Sequence, residues 1–331
     1  MNRQERRRIK IVGQGVAIPE KVLTNADLEK MVNTTDEWIF SRTGIRERRI
    51  AREDQATSDL GIEAAGNALL SAGLEIGDID LILVATNTSD TIFPSTACHI
   101  QRGLKGGPVP ALDISAGCSG ALYGMIVAES FILAGTAKRV LLVAPEMLSR
   151  VTNWADRSTC ILFGDGAGAF VLEESTDASG MLSHYWGADG NLADLLSIPA
   201  GGSRIPASEK TVAEKLHYLQ MKGNEVFKHA VKRMGEAAVE ALKLAGVRKE
   251  DIAWLIPHQA NMRIIEATGD RLKLPREKVF VNVHKYGNCS VATIPLGLEE
   301  LAREGKLKKG DVIVLDAFGA GFTWAAIVYR W

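Results

Sequence analysis

The sequence predicts an α/β protein built from two similar halves, and three observations carry that prediction. A shift of 173 residues lays EAAGNALLSAGLEIGDI (63–79) over EAAVEALKLAGVRKEDI (236–252) with nine of seventeen positions identical, the mark of a duplicated unit. Each copy reads as an Ala-rich helix stopped by a glycine, Gly73 or Gly246, then a polar turn, then an apolar strand, DLILVATN or AWLIPHQAN. Apolar strands alternating with helical stretches imply buried sheets covered by helices.

Further elements repeat in order. PALDISAGCSGALYGM and VFVNVHKYGNCSVATIPLGL each read as strand, short glycine turn and helix. ILFGDGAGAFVLEE and VLDAFGAGFTWAAIVYRW each read as two apolar strands around a glycine-rich turn, with FGDGAGAF (163–170) as a tight hairpin. The polar, small-residue stretch EESTDASG at 173–180 marks the boundary, giving halves 1–175 and 176–331. Residues 186–222, rich in Gly, Ser and Lys, read as an insertion before the second half's long helix.

With 331 residues, 46% of them apolar, and a net charge of −1, the chain can bury a large core. No overall field holds it on nucleic acid or an anionic membrane. Cys98, Cys118, Cys160 and Cys289 form no C-x-x-C pair, which argues against zinc knuckles and a disulfide framework and fits a reducing cytoplasm. No segment approaches the roughly 20 apolar residues of a membrane span. FGDGAGAF is followed by a strand rather than a helix, against a dinucleotide fold, and neither Walker spacing, H-E-x-x-H nor G-x-S-x-G occurs. No metal or resident cofactor is expected.

Candidate chemistry starts at Cys118, at a strand-to-helix turn among small residues. Free N–H groups and the helix dipole at a helix start favour a thiolate, and Ala116, Gly117, Ser119 and Gly120 let an acyl group approach. The equivalent turn of the second half carries Asn288, and His258 ends its repeated strand. Read singly, Cys118 is more often an inert packing residue, His258 a core histidine and Asn288 a turn residue; His284 is a rival to His258. The repeat is what sets the three to face one another.

NTTDEWIFSRTGIRERR, DISAGCSGALYG, FGDGAGA, MKGNEVFK, PHQANMRI, YGNCSVATIPLGL and FGAGFTW occur in that order. Together, from about residue 10 onward, they resemble the β-ketoacyl-acyl carrier protein synthase III family of thiolase-fold condensing enzymes. The resemblance implies a five-layered αβαβα fold of two duplicated halves and a homodimer. It also implies an acyltransferase that condenses an acyl-CoA primer with malonyl-acyl carrier protein, acyl-CoA being a substrate rather than a cofactor. It makes Cys118 the acyl-accepting nucleophile and turns His258 and Asn288 to the malonyl thioester, with backbone N–H groups of Cys118 and of turn 319–321 holding the tetrahedral oxygen. Thr34 and Glu37 form a capping-box pattern that sets Trp38 and Arg42 one turn apart. By resemblance Trp38 and Arg157 stack on the CoA adenine, Arg42 approaches its phosphates, and Asn224 and Asn261 line the pantetheine channel beside Phe318 and Ala320. The same resemblance implies that Phe93 is inserted across a dimer interface to bound the acyl pocket and that Lys228 and Arg263 dock the acidic carrier protein.

Ala320 stands where the family has a glycine, Cys289 where threonine is common and His284 where an acidic residue is frequent. The rival readings are a thiolase-fold acyltransferase of secondary metabolism or a cysteine thioester hydrolase, and an inactive acyl-carrier docking protein.

Overall fold

A computed structural model describes residues 7–331. Its main strands are β1 (Ile9–Ala17), β2 (Leu81–Ala85), β3 (Ala111–Ile114), β4 (Arg139–Met147), β5 (Asp165–Glu174), β6 (Gly180–Ala188), β7 (Ile252–Pro257), β8 (Val312–Gly319) and β9 (Thr323–Arg330). Its main helices are α1 (Asp36–Thr43), α2 (Thr57–Ala72), α3 (Thr96–Gly103), α4 (Gly120–Leu133), α5 (Gly223–Ala245), α6 (Met262–Leu272) and α7 (Thr293–Arg303).

One sheet has the order β1-β5-β4-β2-β3 and the other β7-β8-β9-β6. The repeat survives as topology. β2 and β4 pair in parallel, as do β7 and β8, and an antiparallel strand follows in each sheet, β5 beside β4 and β9 beside β8. The counterpart of β3 is reduced to an isolated bridge between Leu255 and Val279. The helices of the repeated segment, α2 and α5, both stop at a left-handed glycine, Gly73 at φ 66° and Gly246 at φ 65°, a backbone conformation that glycine adopts without a Cβ clash.

Alternation along the strands divides the core into three slabs. Leu83, Leu142 and Phe170 of the first sheet and Ile256, Ile313 and Leu315 of the second face a middle layer formed by Leu122 and Met125 of α4 with Ile294 and Leu298 of α7. Ile82, Val84 and Leu141 face the other way, against Ala64, Ala65 and Ala68 of α2. Val314, Ala326 and Val328 meet Ala237, Ala241 and Leu242 of α5. These are the five αβαβα layers.

The segment 163–170 is not a hairpin. β5 runs unbroken from Asp165 to Glu174 between β1 and β4. A Cβ on Gly168 would lie 2.2 Å from the Pro295 Cβ, so the small residues admit α7 against the strand rather than turn the chain. The stretch 186–222 carries short helices at Gly190–Leu195 and Glu209–Ala213 and a two-residue ladder, Leu196–Ser197 with Gln220–Met221. Among the described residues no helix is long and apolar enough to cross a membrane.

Candidate active site

After β3 the backbone turns through Ala116–Ser119 into α4, and at this turn the two halves touch. Gly117 has φ 54°, and a Cβ there would lie 2.3 Å from the Ala320 nitrogen; a Cβ on Gly319 would lie 2.2 Å from the Cys118 nitrogen. Two main chains therefore pass at contact distance, which only glycine at these positions permits. The Ser119 and Thr323 hydroxyls, 2.9 Å apart, each lie 2.7 Å from the Ala116 carbonyl oxygen and fasten the crossing. Ala320 does not take a positive φ, so its methyl group fits where the family has a glycine.

Cys118, His258 and Asn288 line one cavity of about 650 Å³. Its lining runs from exposed Arg42 and Arg263 to buried His258 and Asn288. The Cys118 sulfur is 3.3 Å from the Ser290 hydroxyl. Burial pushes its thiol up to about 12, against the Ser290 hydrogen bond and with help from the charge of Glu146. That reverses the expectation from a helix start. The N-cap of α4 is Ser119, so Cys118 stands outside the first turn, where desolvation outweighs the dipole. Burial also pushes the Cys289 thiol up strongly; its sulfur is fully enclosed, 3.3 Å from the Tyr286 carbonyl oxygen.

His258 follows the last residue of β7, and its backbone N–H donates to the Asp316 carbonyl at 2.7 Å. Burial pulls the imidazole down to about 3, so the ring is neutral. Nδ1 pairs with Thr293 Oγ1 at 2.7 Å, leaving Nε2 as the remaining ring nitrogen. The Asn288 backbone is pinned to Leu162 O at 2.8 Å and to Gly164 N at 3.1 Å. Its Oδ1 accepts the Ser290 N–H at 2.8 Å, which fixes the amide rotamer and leaves Nδ2 unclaimed by that bond. His284 does not line the cavity.

Trp38 lies on α1 with the Arg157 guanidinium 4.6 Å and the Arg42 guanidinium 5.2 Å from its ring centroid. The helix cap is Thr35, whose hydroxyl accepts the Trp38 N–H. The expected Thr34–Glu37 box is thus one residue out of register, and Thr34 lies off the cavity. Asn224, Asn261, Phe318, Ala320 and Arg263 line it. Asn261 caps α6 and donates to the Arg42 carbonyl at 3.1 Å. Lys228 is exposed and paired with Glu225 at 2.8 Å, and Phe93 is 85% exposed. Leu196, Ile198, Leu219 and Met221 also line the cavity, so the stretch read as an insertion forms a wall. Ser290, Thr293 and Asn87, which sequence reasoning passed over, surround the three central residues. Among the described residues no group of three or more His, Cys, Asp or Glu side chains is placed to hold a metal ion.

Residues 112–190 match the family model described as 3-oxoacyl-[acyl-carrier-protein (ACP)] synthase III, and residues 242–331 match its C-terminal counterpart. The β-ketoacyl-[acyl-carrier-protein] synthase III of Caldanaerobacter subterraneus subsp. tengcongensis is 54% identical over 321 residues, 97% of each chain. That of a Roseiflexus species is 50% identical over 97% of this chain and 98% of its own. The crystal structure of the 3-oxoacyl-[acyl-carrier-protein] synthase III from Aquifex aeolicus superposes with a TM-score of 0.90 at 49% identity, covering 98% of this chain and 100% of that one. With half of its residues shared across nearly the whole length and the same five layers, the chain belongs to the β-ketoacyl-[acyl-carrier-protein] synthase III family.

Proposed function

We propose that this chain condenses an acyl-CoA primer with malonyl-acyl carrier protein, the first carbon–carbon bond of a fatty-acid chain, through Cys118, His258 and Asn288. One observation carries the reading: a sulfur from the first half and an imidazole and a carboxamide from the second line a single cavity. In the first half-reaction the Cys118 sulfur bonds to the primer's carbonyl carbon, the carbon–sulfur bond to CoA breaks, and the thiol proton leaves on CoA. The N–H groups of Cys118 and Ala320, side by side at the glycine crossing, are suited to hold the tetrahedral oxygen.

In the second half-reaction malonyl thioester loses carbon dioxide, and the electron pair moves onto the thioester oxygen as an enolate. Neutral His258 Nε2–H and Asn288 Nδ2–H donate to that oxygen. Nε2 can donate only if Nδ1 accepts, which requires the Thr293 hydroxyl, 2.7 Å from Nδ1 and 3.0 Å from the Ser290 carbonyl oxygen, to turn its single proton to the ring. The enolate carbon then attacks the acyl-Cys118 carbonyl, forming the carbon–carbon bond and releasing the sulfur as thiolate, which regains a proton from solvent. No metal or resident cofactor enters this sequence.

Trp38, Arg42 and Arg157 offer flat faces and positive charge to the CoA adenine and phosphates. Thr34 lies close by in sequence, and Asn224, Asn261, Phe318 and Ala320 line the pantetheine path. Arg263 and Lys228 supply positive charge for an acidic carrier protein. Each half, 1–175 and 176–331, serves as one jaw. Phe93 and Ile92, at 85% and 84% exposure, and edge strand β3 are features that a second copy would cover, favouring a homodimer. The cytoplasm is the fitting compartment for free thiols and these substrates.

The test is a panel of acyl-CoA primers assayed with malonyl-carrier protein, measuring carbon dioxide and ketoacyl product together. Equal amounts of each are expected; free acid without carbon dioxide would indicate a hydrolase.

A further inference from the structure

Next to Asn87 and Thr88 of the cavity lining stands Glu146, wholly buried near the end of β4. Its carboxylate accepts from Thr86 Oγ1 at 3.0 Å, Thr88 Oγ1 at 2.7 Å, Asn87 N at 2.9 Å and Asn87 Nδ2 at 2.7 Å. The Asn87 amide is thereby held with its nitrogen inward, and the same Nδ2 lies 3.4 Å from Ser290 Oγ. Ser290 Oγ is in turn 3.3 Å from the Cys118 sulfur.

The direction of this chain follows from donor counting. A carboxylate only accepts, so Asn87 must donate at both ends. Ser290 Oγ receives the second amide hydrogen, which leaves its own proton for the sulfur. A second feature agrees: Ser290 has φ 48°, a conformation costly for a residue with a side chain and typical of strain held at functional sites.

We infer that Ser290 is a positioning residue for the nucleophile, oriented by the Glu146–Asn87 pair so that its hydroxyl donates to the Cys118 sulfur and favours the thiolate that attacks the primer. The inference rests on Cys118 being the nucleophile. The effect is dipolar, because Glu146's own charge opposes a thiolate. The other titratable groups on the cavity are His258, beyond β7, and Arg42 and Arg263 at its outer end. When sulfur carries the acyl group it becomes a poor acceptor, so the stabilisation is specific to the free enzyme.

The experiment follows alkylation of Cys118 by iodoacetamide against pH in the full chain, with site-resolved mass spectrometry, beside transfer of a radiolabelled acyl group. Ser290→Ala and Ser290→Gly both delete the hydroxyl while keeping the N–H that orients Asn288, and the glycine variant also relieves the positive φ. Both should lower the alkylation rate about tenfold at every pH below the midpoint while leaving the slope of log rate against pH unchanged, as a less favoured thiolate does. Asn87→Ala should give a smaller loss in the same direction. An unchanged rate in both Ser290 variants, with the unaltered chain acylating normally, overturns the Ser290 role alone. An unaltered chain whose Cys118 takes no acyl group overturns the reading beneath it.

Discussion

Two Cys-Ser turns, Cys118-Ser119 and Cys289-Ser290, occupy equivalent places in the two halves, and they have been put to opposite use. In the first the thiol opens on the cavity while the serine is spent on the backbone crossing. In the second the thiol is sealed under Tyr286 and Asp165 while the serine reaches across to the first thiol. Duplication supplies the geometry twice; what distinguishes the proposed nucleophile from a packing thiol is which side chain the other half leaves uncovered.

The sharpest way to break this contrast is to exchange the roles by deletion. Cys118→Ala should lower acyl transfer by about 10⁴-fold or more, as loss of a covalent nucleophile does, while thermal unfolding shows an intact fold. Transfer at the original rate would mean another residue carries the acyl group. Gly117→Ala should come next in severity. It puts a methyl group 2.3 Å from the Ala320 nitrogen at φ 54°, so denaturant titration should show a loss of roughly 3 kcal/mol, and acyl transfer should fall with it. Asn288→Asp should slow malonyl decarboxylation by roughly a hundredfold or more and leave self-acylation nearly untouched. Equal loss in both half-reactions would place Asn288 with the sulfur rather than opposite it.

The effect of pH is smaller. His258 stays neutral in the folded chain down to about pH 3, whereas the unfolded ring takes up a proton near 6.5. The unfolded state therefore binds more protons in that window, and stability should fall as pH drops through it. Malonyl decarboxylation should be flat from about pH 5 to 8; a midpoint near 6.5 would show an imidazole that titrates. Least of all, Cys289→Ala should cost about 1–2 kcal/mol of stability by leaving a small void and should not change acyl loading.

The duplicated fold and the meeting of Cys118, His258 and Asn288 in one cavity were legible because the repeat is written in strand ends and glycine turns, which sequence displays directly. Four features were not. The Ser290–Asn87–Glu146 chain joins segments 203 and 59 residues apart, and a glutamate at the end of an apolar strand gives no sign of what it will bind. The string Thr34-Thr35 offers two caps a residue apart, and Glu37 points to Thr34 as its box partner, whereas the helix starts on Thr35. The glycines of 163–170 look like a turn in sequence, yet they answer to Pro295, a neighbour visible only after folding. The Cys118 environment misled in the same way. Helix position is local and readable, whereas desolvation is a property of everything packed around the sulfur.

The crossing of residues 117–118 with 319–320 has a consequence for biosynthesis. A growing polypeptide carries its reactive thiol long before the strands that enclose it have left the ribosome. Until those strands dock, no pocket surrounds the sulfur and the two main chains have not met, so the cavity comes into being only when the two lobes lock together.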